Sequence, residues 1–189
     1  MEKGNDEVNK KFKNLVEEYP ELWEEKTYKK GEVFITSGQI VEKIFFIKTG
    51  KARVYFYNEM NAKEATVGFF NSHEAFIPYG SFVENVPAQM NVQVISKAVM
   101  YSITKEDWNK MKAYDPEIDN LITRLAIRHL FGALDYIAKS IQYDSTERYL
   151  LTIERFSFLR NFPDETISLY LGIDKRTVQR ARANYRVDD

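Results

Sequence analysis

The sequence predicts an α+β chain: an antiparallel double-stranded β-helix of jelly-roll type flanked by helices, a long dimerisation helix, and a small all-α helix-turn-helix domain. Three observations predict it. Apolar and polar residues alternate between positions 28 and 104. A helical pattern without internal proline runs from 116 to about 142. Two short helical segments joined by Leu171-Gly172-Ile173 lie near the end of the sequence. The expected domains are 1–115, 116–142 and 143–189.

At the start, Val8, Phe12, Leu15, Val16, Tyr19, Leu22 and Trp23 recur at helical spacing over residues 6–26, with Pro20 as an interruption. The next stretch changes period. Val33 and Ile35 alternate with polar neighbours, Ala52, Val54 and Phe56 alternate with Arg53, Tyr55 and Tyr57, and Val92 and Val94 with Asn91 and Gln93. Period two with many Val, Ile, Tyr and Phe means antiparallel strands. Turn residues separate them: Ser37-Gly38, Thr49-Gly50 and the run from Asn58 to Lys63. Many short strands with such turns predict a sandwich, jelly roll or barrel.

Thr104 can cap a helix over Lys105 to Met111, with Asp107 at its third position. Asp115-Pro116 is a second start signal. The helix behind it carries apolar residues on more than one stripe, from Ile118 to Ile141. A helix apolar on two sides must bury two sides. One can lie on the β domain, and a second copy of the same helix is the simplest cover for the other. Ile118, Ile122, Leu125 and His129 are the expected dimer residues. Asp144 and Glu147 then form a capping box, and the helix it opens carries Leu150, Ile153, Phe156 and Leu159.

Composition bounds the function. The chain has 189 residues, is 44% hydrophobic, and carries a formal net charge of −1. A uniformly basic nucleic-acid coat is excluded, but a local basic patch is not. The absence of cysteine excludes disulfides, Cys-ligated metal and thiol catalysis. No apolar run approaches the roughly 20 residues of a membrane span, and Met1 to Glu7 has no apolar signal core. A cytoplasmic protein with no membrane partner is the expectation.

Charge is concentrated at one place. Residues 143–189 hold eight bases and eight acids, yet Asp174 to Arg186 carries five bases and one acid. In this segment Val178, Ala181 and Tyr185 mark an inner face behind an Asp174 cap. Arg176, Gln179, Arg180 and Ala183 lie opposite, with Lys175 on the flank. Arg reads guanine and Gln reads adenine through paired hydrogen bonds in the major groove. Two short helices with a glycine turn form a helix-turn-helix, so the second is expected to read DNA through Lys175, Arg176, Thr177, Gln179 and Arg180. Arg182 and Arg186, nearer the sides, are expected on phosphates.

The order of parts resembles the Crp–Fnr family of bacterial transcription regulators over nearly the whole length. Lys30-Gly31-Glu32-Val33-Phe34 is similar to that family's opening strand, and Gly31, Gly38 and Gly50 fall at its glycine spacing. Phe45 to Val54 is similar to its central strand and turn. Ile167 to Arg180 resembles its helix-turn-helix, with Lys175 and Arg180 at the positions of basic base-readers and Arg176 where many members have Glu. The resemblance implies a cyclic-nucleotide-binding-like β-roll and a homodimer on paired half-sites. It also implies DNA, RNA polymerase and an unknown small-molecule effector as partners.

The nucleotide site departs from the family. Members that hold cyclic nucleotide use Phe-Gly-Glu and Pro-Arg segments. Here Phe76-Ile77-Pro78 and Pro87-Ala88-Gln89-Met90-Asn91 stand there, and no arginine lies between Arg53 and Arg124. Proline offers no amide hydrogen to a phosphate. No cofactor is expected, and cyclic nucleotide is disfavoured. The expected effector pocket is Phe76, Ile77, Tyr79, Ser81, Ala88, Gln89, Met90 and Asn91. Phe69, Phe70, Phe76, Tyr79 and Phe82 form an aromatic series whose ordinary role is core.

The two histidines, His73 and His129, cannot make a metal centre alone, and no P-loop or nucleophile motif is present. The expectation is a non-enzymatic, sequence-specific DNA-binding regulator. The competing reading is a ligand-binding or protein-interaction module of the same fold that no longer binds DNA.

Overall fold

The computed structural model describes residues 2–60, 62–115 and 117–185. Helix α1 spans Glu2–Glu18 and a 3-10 turn Pro20–Leu22 follows. Six strands come next: β1 (Glu24–Tyr28), β2 (Val33–Ile35), β3 (Lys43–Asn58), β4 (Lys63–Phe70), β5 (Ala75–Phe76) and β6 (Asn91–Thr104), with the short helix α2 (Tyr79–Glu84) before the last. The chain continues with α3 (Lys105–Tyr114), α4 (Glu117–Gln142), α5 (Ser145–Arg155), a 3-10 turn (Ser157–Asn161), α6 (Asp164–Leu171) and α7 (Lys175–Tyr185). The sheet is antiparallel, in order β1-β6-β3-β4, with β2 also on β6 and β5 also on β3. The expected α+β class with a helical C-terminal region is borne out.

Two compact units divide the chain: residues 1–56 with 68–130, and residues 57–67 with 131–189. The division falls inside α4, whereas the sequence pattern placed boundaries at the helix ends.

The first unit has two apolar clusters on opposite faces of the sheet. Phe45, Ile47, Ala52, Val54, Val92 and Val94 fill the inside of the roll. Ile44, Phe46, Ile77 and Ile103 point outward, where Phe12 of α1, Trp108 of α3 and Leu121 of α4 cover them. This double cover explains why residues 44–47 read as an unbroken apolar run. Gly50 bends β3 at φ +101, and a β-carbon there would fall 2.5 Å from the Ala98 Cβ, so only glycine fits.

The first helix ends earlier than its apolar spacing predicts. Pro20 stops it, and Glu24–Tyr28 leaves helical geometry to pair with Ser102 through Ala98 of β6. The Thr104 and Asp144 caps form as expected: Thr104 Oγ1 accepts from the Asp107 amide at 3.1 Å, and Asp144 and Glu147 make a reciprocal box. Pro116 lies outside the described residues.

The expected dimer residues require correction. Ile118 and Leu125 are buried at 2% and 0% exposure inside the chain's own core, and Ile122 packs against the same cluster. His129 turns inward as well. Its Nδ1 lies 3.1 Å from the Tyr79 hydroxyl, and its ring meets Phe70 edge-on at 5.6 Å. The unpartnered stripe on α4 is a different one: Ile127, Leu130, Leu134, Ile137 and Ile141, each between 49% and 79% exposed, with Phe131 beside them. Its alternating three- and four-residue steps are those of a coiled-coil seam.

Candidate nucleic-acid interface

In the second unit, α5 supplies buried Tyr149 and Ile153, α6 supplies Ile167, Tyr170 and Leu171, and α7 supplies Val178 and Ala181. Each set recurs at three- or four-residue steps, so each helix turns one narrow face inward. Gly172 caps α6 in the left-handed region at φ +63, its amide donating to the Ser168 carbonyl at 2.9 Å. Asp174 Oδ1 accepts from the Arg176 amide at 2.8 Å, which starts α7.

The inner face of α7 fixes what its other side presents. Lys175, Arg176, Gln179 and Arg180 are exposed, and Ala183 lies exposed among them without bulk. Thr177 is half-buried, and its Oγ1 accepts from Arg180 Nη2 at 3.3 Å. That contact holds the guanidinium along the outer face. Four polar side chains, three of them cationic, thus stand on one side of an 11-residue helix.

Arg182 does not belong to that set. Its Nη2 lies 3.0 Å from Asp164 Oδ1 and donates to the Phe162 carbonyl at 2.9 Å, and both partners of the ion pair are mostly covered. The guanidinium ties α7 to the start of α6. The expected phosphate contact is therefore corrected to a structural tie. Sequence spacing placed Arg182 at the side of the helix but could not show Asp164 beside it. Arg186, and with it its expected role, lies outside the described residues, as does the side chain of Tyr185.

The expected effector residues do not converge. Phe76, Ala88 and Met90 face the roll interior, where Phe70 meets Phe76 at 4.8 Å. Ile77 points to the opposite cluster. Tyr79 faces His129. The Ser81 hydroxyl accepts from the Val41 amide at 2.7 Å, and Asn91 Oδ1 from the Ser37 amide at 3.0 Å, so both brace loops. Gln89 is exposed. One pocket shared by all eight residues is thus corrected to several separate environments: strand, helix and loop positions that follow one another in sequence turn to different sides.

His129 has an unusual environment. Burial first, then the nearby Arg128 charge, push its pKa down to about 4. Burial likewise pushes the Tyr79 hydroxyl well above its ordinary value. The pair is therefore neutral at physiological pH. Among the described residues, no group of three or more His, Cys, Asp or Glu is placed to hold a metal ion, and no helix is long and apolar enough to cross a membrane.

Comparisons with known proteins agree with this architecture. Residues 25–115 match the family of the cyclic nucleotide-binding domain. The search of curated proteins found no match. Among solved structures, the c-di-GMP responsive global regulator CLP of Xanthomonas campestris aligns at TM-score 0.72 and 13% identity, covering 93% of this chain and 92% of CLP. FixK2 of Bradyrhizobium japonicum aligns at 0.72 and 19%, covering 88% and 85%. A protein of Eubacterium rectale assigned to the crp/fnr family of transcriptional regulators aligns at 0.70 and 14%, covering 93% and 82%. At these identities the likeness is one of fold.

Proposed function

We propose, from the premise that this chain has the fold of the Crp–Fnr regulators and a domain of the cyclic nucleotide-binding family, that it is a sequence-specific DNA-binding transcription regulator. The observation that carries the reading is the outer face of α7. Lys175, Arg176, Gln179 and Arg180 are exposed together, with Asp174 spent on capping. Arg176, Gln179 and Arg180 reach base edges in the major groove, and Lys175 meets the backbone or a base at its flank. Ala183 lets the helix approach closely.

The chain acts as a homodimer through the seam Ile127, Leu130, Leu134, Ile137 and Ile141. Five aliphatic residues at coiled-coil spacing, all exposed, are the support for this. A two-fold dimer reads an inverted repeat with half-site centres about 34 Å apart.

The β-roll works without cyclic nucleotide. Arg53, the one arginine on its strands, has its Nε donating to Gln93 Oε1 at 2.8 Å and its guanidinium 4.4 Å over the Tyr55 ring. It alternates with Ala52 and Val54, which face the interior, so it points away from it. Calorimetry with cyclic AMP should show no micromolar binding, and micromolar affinity would contradict this.

Gel retardation tests the main reading. Full-length protein should retard DNA from its own promoter regions at least a thousandfold better than random DNA at moderate salt, on the order of known specific regulators. Equal, salt-sensitive retardation of all DNA would remove sequence reading. No retardation would favour the protein-interaction alternative.

A further inference from the structure

We propose that the second unit holds a binding site for a small organic acid, in a cleft formed by the end of α4 with α5 and α6. The cleft is small and open: its volume is about 30 Å³, or about 350 Å³ with the open solvent at its mouth counted. Its walls are Tyr136 and Tyr170, whose rings lie 4.9 Å apart, with Leu151 and Leu171. Lys139, Arg148 and Arg155 reach the same space. The site is separate from the outer face of α7.

Charge argues for an anion. Three cations face the cleft, and the carboxylate beside them is Asp135, which lies 2.9 Å from Lys139 Nζ and 3.8 Å from Arg155 Nη1. The excess is two positive charges. Arg148 sharpens the point: its Nη1 donates to the Leu171 carbonyl at 3.3 Å, while its Nε is buried with no hydrogen-bond partner. An unsatisfied buried donor on a cation is costly, and a carboxylate offers acceptor capacity for more than one donor.

The walls argue against a bare inorganic ion. Aromatic rings and leucines offer little to phosphate but cover the body of an aromatic or aliphatic acid. The acid group would meet Arg148, with Arg155 and Lys139 at the rim, and its body would lie over Leu151 and Tyr170. Because Arg148 also grips the last carbonyl of α6, one residue before Gly172, occupancy of the cleft bears on the helix that carries the turn. A ligand here would stiffen the DNA-reading domain.

Benzoate is the probe, with acetate, benzyl alcohol and inorganic phosphate as comparisons at matched ionic strength. Melting temperature and calorimetry are measured on the full chain without DNA, so the result stands apart from the DNA reading. Benzoate should bind saturably and raise the melting temperature by roughly 3–5 °C at ten times its Kd. Acetate, which lacks the body, and benzyl alcohol, which lacks the charge, should each bind at least about tenfold more weakly. Arg155→Gln should lose about tenfold in benzoate affinity with benzyl alcohol unchanged. Lys139→Gln, at a more exposed side chain, repeats the test if Arg155→Gln does not fold. Equal effects of benzoate and benzyl alcohol, phosphate matching benzoate, or unchanged benzoate affinity in both variants would overturn the proposal.

Discussion

The two halves of α4 look alike in sequence and differ in the structure. From Ile118 to Leu125 the apolar residues are buried in the chain's own core, against strands and α1. From Ile127 to Ile141 they stand in solvent. Both halves repeat aliphatic residues at three- and four-residue steps, so hydropathy says only that each must be covered. What covers the first half belongs to the same chain: α1, α3 and the outward side chains of β3 and β6. Among the described residues, nothing covers the second. An apolar stripe can therefore measure fold stability at one end of a helix and assembly at the other.

Substitutions at the two ends should separate these roles. Leu125→Glu buries a charge at a site with 0% exposure and should cost about 4 kcal/mol or more, unfolding the first unit. Leu134→Glu together with Ile137→Glu should leave the melting temperature of dilute protein almost unchanged but yield monomers in sedimentation. DNA binding would weaken with them, since each monomer would hold one half-site. A Leu134/Ile137 variant that still sediments as a dimer would place the interface elsewhere. A folded Leu125→Glu protein would contradict the assignment of the first half to the core.

His129 sits where the buried stripe gives way to the exposed one, and it adds a pH dependence. Tyr79, Phe70 and Arg128 surround it, and Asn9 and Glu74 flank Arg128. Its folded pKa of about 4 lies below the ordinary 6.5, so the folded state disfavours the proton. The unfolded chain binds more protons in between. Stability is fully present above pH 6.5 and falls as pH drops toward 4, by about 2–3 kcal/mol over the window. His129→Gln should flatten that segment of the pH–stability curve. An unchanged slope would show that the ring titrates normally.

On α7, Arg180→Ala should cost about 1–3 kcal/mol on the preferred site and relax preference at one base pair. Arg182→Ala should act through the fold, removing the Asp164 pair and the Phe162 contact. It should lower the stability of the helical domain by about 1 kcal/mol and leave the salt slope of DNA binding unchanged. A slope reduced by about one unit would return Arg182 to the phosphates.

These variants also trace what the sequence could reveal. The Thr104 and Asp144 caps, the Gly172 turn and the outer face of α7 were legible because each depends on residues within four positions. The dimer residues were misread because Ile122 and Ile127 are equally apolar, and only the outward side chains of distant strands decide which one is covered. The strict three-and-four spacing from Ile127 to Ile141 was the available signal. The effector residues were misplaced because a run of adjacent positions was treated as one surface, while Phe76 and Ile77 face opposite clusters. Arg182 was misassigned for want of one tertiary partner, Asp164, eighteen positions earlier.

The reading of α7 as the element that specifies DNA sequence is tested most directly by selection from random DNA with the full chain and with Arg180→Ala. The full chain should recover an inverted repeat with half-site centres about one helical turn apart. The variant should recover the same repeat with one base pair per half-site relaxed. Single unpaired motifs, no enrichment, or an Arg180→Ala protein with unchanged preference would contradict it.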